Sequence, residues 1–146
     1  MAEPIAAFVD TNVLLDLVTN DPVWANWSIR QLDVASSRGR LAINDMVYAE
    51  LSVGFDEIEL LDRFLASADL EIVPLPRAAL FLAGKTLRSY RARRGTQTSI
   101  LPDFFIGAHA AILDVPLLTR DVRRYKTYFP RLVLVTPQGW SVTRSA

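Results

Sequence analysis

The 146-residue sequence lacks cysteine altogether and contains a single histidine. Without cysteine, this chain has no disulfides, thiolate metal sites or cysteine nucleophiles. A single histidine also excludes a ribonuclease mechanism in which two imidazoles of the chain serve as acid and base. No apolar run approaches the roughly 20 residues that a membrane-spanning helix needs, and no basic flank precedes a long apolar stretch at the N-terminus. We therefore expect a cytoplasmic protein without a secretory signal or a membrane partner.

The formal net charge is zero, because 16 basic residues balance 16 acidic residues, but the two halves of the chain differ sharply. Residues 1–76 contain 13 acidic and 4 basic residues, whereas residues 77–146 contain 3 acidic and 12 basic residues. Such asymmetry indicates an anionic partner, or a charged site assembled from both halves. The length and the hydrophobic fraction of 51% are typical of one globular domain, so we expect residues 1–146 to form a single domain.

Short apolar runs alternate with helical patterns along the chain. The runs predict strands at residues 5–9, 41–43, 71–73, 115–118 and 132–135. Helix starts and helical periodicity fall between them, for example at Asp21-Pro22, at Asn44 or Asp45, and over residues 55–65 and 77–92. Because strand and helix alternate with short connections, we predict a three-layer α/β/α domain with a central, mostly parallel sheet.

Four acidic residues fall at positions that this pattern assigns to one edge of the sheet. Asp10 directly follows the first strand, Asp121 follows a later strand, and Glu50 lies about one turn into the helix after the second strand. Asp103 lies in the first turn of a helix, where the dipole favours an anion. Each acid alone has an ordinary explanation as a cap or a solvated side chain. Four acids at the edge where parallel sheets bind ligands argue for a shared function.

The chemistry of clustered carboxylates indicates a metal ion. Carboxylates a few Å apart repel each other, so one must be protonated or a cation must lie between them. Oxygen ligands without cysteine favour Mg²⁺ or Mn²⁺ over zinc. A Mg²⁺ ion that is held by a few carboxylates and retains bound water is suited to phosphodiester hydrolysis. The acids therefore predict a divalent-metal site.

Four sequence blocks resemble the PIN domain ribonucleases, specifically the VapC-type toxins. The blocks are Phe8-Val9-Asp10-Thr11-Asn12-Val13-Leu14, Ala49-Glu50-Leu51, Leu101-Pro102-Asp103-Phe104-Phe105-Ile106-Gly107-Ala108-His109-Ala110 and Leu117-Leu118-Thr119-Arg120-Asp121. Tyr128-Phe129-Pro130 and residues 133–137 also resemble the end of that family's domain. The resemblance runs over nearly the whole chain, and it is specific because all four acids stand in register with their apolar flanks.

The resemblance implies the toxin of a type II toxin–antitoxin pair, acting as a metal-dependent endoribonuclease. It implies catalytic roles for Asp10, Glu50, Asp103 and Asp121, and cleavage that leaves a 5′-phosphate and a 3′-hydroxyl. Asp10 and Asp103 are expected to bind Mg²⁺ directly, with Mn²⁺ as a substitute, whereas Glu50 and Asp121 bind it directly or through water. The implied partners are RNA, a small VapB-like antitoxin and a second copy of the chain in a homodimer.

Polar neighbours of the acids are candidates for orienting them. Thr11 and Asn12 follow Asp10, and Thr119 lies two residues before Asp121, so their side chains can hold a carboxylate or touch the substrate. Capping of the following helix explains Thr11 and Asn12 equally well. His109 lies six residues after Asp103 and does not share its helical face, so we expect it to pack or hydrogen-bond rather than to catalyse.

Basic residues dominate the segment between Arg77 and Pro102, which contains six bases and no acid. The C-terminal end of a helix accounts for some of them, but a groove for an RNA backbone explains the one-sided run better. The predicted RNA contacts are Arg88, Arg91, Arg93, Arg94 and, beside Asp121, Arg120, with Tyr90 as a platform for a base. Many relatives have a glycine-richer turn where this chain has residues 93–97, so substrate selection can differ there.

Trp24 and Trp27 lie three residues apart on one predicted helix. They belong either to the core or to a surface for the antitoxin or a homodimer.

Other functions stay open at this stage. A PIN-like domain that only binds RNA or an antitoxin would be free to lose acids, and this chain keeps all four. A haloacid-dehalogenase-type phosphatase also begins with a strand that ends in Asp. Its second acid would stand at Asn12, and no clear motif lysine precedes Asp103. Composition does not separate an RNA substrate from a DNA substrate.

Overall fold

The secondary structure follows an alternating order of strands and helices. A computed structural model describes residues 4–97 and 100–142. The elements in these ranges are β1 (Ile5–Val9), α1 (Thr11–Val18), α2 (Ala25–Ser36), β2 (Arg40–Ile43), α3 (Asp45–Ser52), α4 (Ile58–Ser67), β3 (Leu70–Ile72), α5 (Arg77–Ala92), α6 (Leu101–Leu113), β4 (Leu117–Leu118), α7 (Val122–Tyr128), β5 (Val133–Thr136) and β6 (Gly139–Val142).

These strands form one sheet in the order β3-β2-β1-β4-β5-β6. Strands β1 to β5 are parallel, and β6 pairs antiparallel with β5. The chain first moves from β1 through β2 to β3, then returns to the other side of β1 for β4 and β5. Right-handed crossovers in opposite directions put helices on both faces of the sheet. The predicted α/β fold with a mostly parallel sheet is therefore confirmed.

The central strands are buried on both faces, which explains why they consist of continuous apolar runs. Phe8 and Val9 of β1, Ile43 of β2, and Leu117 and Leu118 of β4 have no exposed surface. Helices on both sides of a parallel sheet leave no polar face to alternate with the apolar one. The core therefore lies on both sides of β1, β2 and β4.

A crevice is expected where neighbouring strands continue in opposite directions, because the helices that follow them diverge. In this sheet that point lies between β1 and β4, where Val9 pairs with Leu118. The backbone N–H of Asp10 donates to the carbonyl of Leu118 at 2.9 Å. The residues that follow the two strands, Asp10 and Thr119, therefore lie side by side at this crevice.

Several elements differ from the sequence-based prediction. Helix α7 and strand β6 were not predicted, and β4 is confined to two residues of the expected 115–118 range. Helix α2 begins at Ala25 rather than at Pro22, because the Asp21 carboxylate accepts the N–H groups of Val23 and Trp24, both at 2.8 Å, and caps a preceding turn. Within residues 4–97 and 100–142, no helix combines the length and apolarity needed to cross a bilayer.

Candidate active site

Asp10 lies at the centre of the crevice, with only 3% of its surface exposed. Its Oδ1 atom accepts the backbone N–H of Thr11 at 2.8 Å, which caps α1. Its Oδ2 atom accepts the hydroxyl of Thr119 at 2.7 Å and the amide of Asn12 at 3.3 Å. The Thr119 oxygen also accepts the backbone N–H of Asp121 at 2.9 Å. Neutral donors therefore orient Asp10, and no salt bridge to it occurs in the described part of the chain.

The environment of Asp10 opposes its negative charge. The pKa of this carboxyl is raised from 3.8 to about 6, mainly by burial and to a smaller extent by the nearby charge of Glu50. Hydrogen bonds from Thr119 and Thr11 act in the opposite direction but do not offset the burial. At neutral pH Asp10 is mostly ionised, so the site holds an anion that an added cation would stabilise.

Glu50 reaches Asp10 through Thr11. The Thr11 hydroxyl donates to Oε1 of Glu50 at 2.6 Å, while the N–H of the same threonine donates to Asp10. Thr11 is thus more than a residue of the first helical turn, because it holds two of the predicted acids at once.

The helix that carries Glu50 is tied to the helix that carries Asp103 by Asn44 and His109. The Oδ1 atom of Asn44 caps α3, and its amide lies 3.2 Å from Nδ1 of His109 on α6. His109 is fully buried with its ring 4.6 Å from that of Phe8, and burial lowers its pKa. The expected packing and hydrogen-bonding role of His109 is confirmed. The sequence did not reveal Asn44 as its partner.

Asp103 and Asp121 share a cation that the chain itself provides. Nη1 of Arg124 forms an ion pair with Oδ2 of Asp103 and lies 3.9 Å from Oδ2 of Asp121. Its other terminal nitrogen, Nη2, donates to Oε1 of Gln97 at 3.0 Å. Arg124 therefore joins α6, the start of α7 and the loop before α6.

Tyr125 is a further residue of this site that the sequence did not single out. Its side chain is fully buried, and its hydroxyl lies beside Asp10 and lowers the pKa of that carboxyl, but it makes no hydrogen bond of ordinary length to a described residue. Burial and the charges of Asp10, Asp121 and Glu50 raise the pKa of Tyr125 well above its usual value. The hydroxyl therefore lies close to three of the acids. Because α7 was not predicted, the sequence analysis did not consider this position, although Val122, Tyr125 and Tyr128 stand at helical spacing.

An unbroken series of contacts joins the four predicted acids. It runs from Glu50 through Thr11 to Asp10, from Asp10 through Thr119 to Asp121, and from Asp121 through Arg124 to Asp103. Within the described residues, no three acidic or histidine side chains approach closely enough to form a metal-binding group. Two contacts hold acidic side chains apart from one another: Glu50 accepts from Thr11, and Asp103 is paired with Arg124. Carboxylate oxygens, which all four acids supply, are the ligand type that a hard divalent cation prefers.

A basic cleft of about 460 Å³ lies beside Asp121. Its lining includes Tyr90, Arg94, Gln97, Arg123, Arg124 and Tyr128. The Tyr90 ring packs at 5.8 Å from the ring of Tyr128, and its hydroxyl accepts the N–H of Gln97 at 2.9 Å. A Cβ atom on Gly95 would lie 2.2 Å from the Tyr90 ring, so this turn needs glycine. Tyr90 is thus an integral part of the wall of the cleft.

The predicted RNA contacts have different surroundings. Arg88, Arg91, Arg93 and Arg94 are exposed, and the guanidinium of Arg93 lies 5.7 Å from the ring centre of Tyr128. Arg120 instead forms a two-point ion pair with the buried Asp16, with both distances at 2.8 Å, and lies 5.0 Å from the ring centre of Trp24. Trp24 and Trp27 are both half-buried and form an edge-to-face pair. The charge of Arg120 is thus already paired, and its contact with RNA stays a prediction.

Comparison with known protein families agrees with this geometry. The sequence model of the PIN domain family matches residues 7–130, a range that includes all four acids. No curated protein sequence matches the chain.

Solved structures with the same fold come from toxin–antitoxin complexes. VapBC2 from Rickettsia felis, bound to a DNA fragment from its promoter, is similar with a TM-score of 0.68 and 21% identity over 88% of this chain and 96% of that chain. DNA-bound VapBC from Salmonella typhimurium has a TM-score of 0.66 and 18% identity over 90% and 97%. A toxin–antitoxin complex from Klebsiella pneumoniae has a TM-score of 0.60 and 22% identity over 80% and 88%. At these identities the likeness is one of fold.

Proposed function

This chain belongs to the PIN domain family, and on that premise we propose that it is a Mg²⁺- or Mn²⁺-dependent endoribonuclease, the toxin of a toxin–antitoxin pair. The observation that carries the proposal is the unbroken series of contacts that joins Glu50, Asp10, Asp121 and Asp103 at the crevice between β1 and β4. These contacts link acids from four separate parts of the chain near the edge where open parallel sheets bind their ligands.

The acids divide the work of holding the cation and the water. Asp10 and Asp103 would bind the ion directly, and Glu50 and Asp121 would bind it directly or through a water molecule. A bound divalent ion lowers the pKa of water and stabilises the charge that develops on the scissile phosphate. Thr11, Asn12 and Thr119 keep the carboxylate of Asp10 in one orientation, so this carboxylate would need little reorientation when a cation binds.

The basic cleft supports a nucleic acid as the substrate. Its arginines adjoin Asp121, so a phosphodiester backbone bound along the cleft would lead directly to the acids. Arg88, Arg91, Arg93 and Arg94 are exposed around and beyond this cleft and extend the positive surface. We assign them to binding of the RNA backbone, which makes affinity dependent on salt.

The partners follow from the same proposal. The similar structures are described as VapBC and toxin–antitoxin complexes, which supports a small VapB-like antitoxin as the partner of this chain. We also propose a homodimer and a cytoplasmic location, as the sequence predicts.

The phosphatase alternative has little support in the site. Its second acid would stand at position 12, where the amide of Asn12 instead donates to Asp10 at 3.3 Å. Asn12 has no proton-transfer chemistry to offer, because its amide does not titrate near neutral pH. A non-catalytic binding domain would have no need to keep Asp10 buried beside Glu50 at a cost in stability.

Purified protein incubated with defined RNAs and with single-stranded DNA tests the proposal. RNA should be cut in Mg²⁺ or Mn²⁺ but not in EDTA, and Asp10→Asn should abolish cutting. Asp33→Asn serves as a matched control, because Asp33 is exposed on α2 and belongs to none of the contacts at the site. Cleavage that survives both EDTA and Asp10→Asn would refute the mechanism, and cleavage of DNA alone would refute the choice of substrate.

A further inference from the structure

Arg124 occupies an unusual position for a basic residue at the edge of a nucleic-acid cleft. It is directed toward the acids rather than toward the solvent, since Nη1 pairs with Asp103 and lies 3.9 Å from Asp121. Its side chain is 26% exposed, and that of Asp103 is 21% exposed, so the pair is only partly screened by solvent. The neighbouring Arg123 is exposed and forms no ion pair with any acid in the described part of the chain.

The contacts divide the four acids into two electrostatically different pairs. Among residues 4–97 and 100–142, Asp10 and Glu50 accept hydrogen bonds from the neutral groups of Thr11, Asn12 and Thr119 and form no ion pair. Asp103 and Asp121 lie beside a fixed positive charge that neutralises about one of their two negative charges. A cation that entered between the pairs would have to compete with the guanidinium for Asp103.

We propose that Arg124 is an internal counter-ion that competes with the divalent cation for Asp103 and Asp121 and thereby sets the metal affinity of the site. The inference rests on the proposed function, because it assumes that these carboxylates hold the ion. The competition has a physical cause: one carboxylate oxygen that already accepts from a guanidinium is a weaker ligand, and like charges close together repel. Gln97, which accepts from Nη2, gives the guanidinium a second anchor away from the acids when Asp103 is released.

Titration of the RNA-free full chain with Mn²⁺ by isothermal calorimetry tests this role without any measurement of activity. Arg124→Gln removes the charge and the competing donor pair, so we expect it to bind Mn²⁺ about three- to tenfold more tightly than the wild type, as is typical of a partly exposed ion pair. Arg123→Gln is the matched control, because it removes the same charge from the adjacent position of α7. Its affinity should stay within about twofold of the wild type, since exposed charges are well screened.

Arg124→Lys provides a second variant, which keeps the charge but not the two-point fork of the guanidinium. We expect its Mn²⁺ affinity to lie between those of the wild type and Arg124→Gln. Equal affinities for the wild type, Arg124→Gln and Arg124→Lys would overturn the inference while leaving the metal site intact. A gain of the same size in Arg123→Gln would also overturn it, because the effect would then be one of net charge. Absence of Mn²⁺ binding in every protein, including the wild type, would overturn the proposed metal site itself.

Discussion

Replacement of Asp10 by asparagine should stabilise the fold when no metal ion is available. Asp10 is 3% exposed and accepts only neutral donors, so its negative charge has no partner within the described residues that compensates for the loss of solvent. Asparagine has nearly the same shape and carries no charge. We therefore expect Asp10→Asn to be more stable than the wild type in EDTA at neutral pH.

The magnitude follows from the pKa of Asp10. A rise from 3.8 in the unfolded chain to about 6 in the folded protein corresponds to about 3 kcal/mol of unfavourable free energy when the carboxylate is ionised in both states. Asparagine keeps an acceptor for Thr11 but loses the charged acceptor for the Thr119 hydroxyl, at a cost of about 1 kcal/mol. The net gain in the free energy of unfolding at pH 7.5 is about 2 kcal/mol.

The pH dependence of the stability difference distinguishes removal of the buried charge from a change in side-chain packing. The folded state of the wild type takes up the proton at a higher pH than the unfolded state does. Its stability therefore rises as the pH falls through the folded pKa of about 6 toward the unfolded value of 3.8. Between pH 7.5 and pH 4.5 about 2 kcal/mol of the penalty disappears from the wild type, whereas the asparagine side chain of the variant does not titrate. We expect the stability difference between the two proteins to be close to zero at pH 4.5.

Urea denaturation in EDTA at the two pH values measures this difference, and Asp16 provides the control. Asp16 is equally buried, but it is paired with Arg120 and accepts the hydroxyl of Ser28 at 2.8 Å. Asp16→Asn should therefore lose about 2 kcal/mol at pH 7.5, because it leaves a partly buried guanidinium unpaired. If Asp10→Asn were less stable than the wild type at pH 7.5, or if the difference were the same at both pH values, the reasoning about Asp10 would be refuted.

Three further predictions concern the same region. In differential scanning fluorimetry, excess Mn²⁺ should raise the melting temperature of the wild type but not of Asp10→Asn, because only the wild type gains binding energy in the folded state. Equal shifts of the two melting temperatures would contradict Asp10 as a metal ligand. Tyr125→Phe should gain about 1 kcal/mol of unfolding free energy in EDTA, because it removes a buried hydroxyl that makes no ordinary hydrogen bond to a described residue. A loss of stability in urea denaturation would mean that the hydroxyl donates a hydrogen bond to Asp10. In the same urea denaturation, Gly107→Ala should lower the free energy of unfolding by about 1–3 kcal/mol, because a Cβ atom would lie 2.5 Å from the ring of Phe129. Gly84→Ala is the control and should not destabilise the protein, because the space around Gly84 is open.

The elements of the fold that were predictable are those whose burial produces a clear apolar pattern in the sequence. Strand β1 matches its predicted range of residues 5–9 because a parallel strand covered on both faces is a continuous apolar run. Helix α7 was missed because its seven residues are too few for a periodic pattern to stand out, although Val122, Tyr125 and Tyr128 pack on the core at helical spacing. Strand β6 was missed because it is defined by its pairing with β5 across a turn in which Gly139 has a φ of +101°.

Some features of the candidate site were also predictable from the sequence, and others were not. The position of the four acids near one edge of the sheet was predictable because the carboxyl ends of parallel strands share that edge, and their catalytic role stays a prediction. Thr11, Asn12 and Thr119, which are neighbours of Asp10 and Asp121 in the sequence, were predicted to orient the acids, and all three donate to Asp10. The pairing of Arg124 with Asp103 and of Asn44 with His109 was not predictable, because these residues lie 21 and 65 positions apart. Contacts of this kind depend on how the helices pack, which the local pattern of a sequence does not contain.

The zero net charge of the chain hides an arrangement that matters at this site. The acidic half contributes Asp10 and Glu50, whose partners in the described part of the chain are neutral, and the basic half contributes Asp103 and Asp121 together with Arg124. The unfavourable burial of Asp10 and the favourable pairing of Asp103 therefore oppose each other across one crevice. A divalent cation would relieve the first and must disrupt the second, so its affinity depends on the difference between them. Metal affinity can then be adjusted through Arg124 alone, without any change to the four carboxylates.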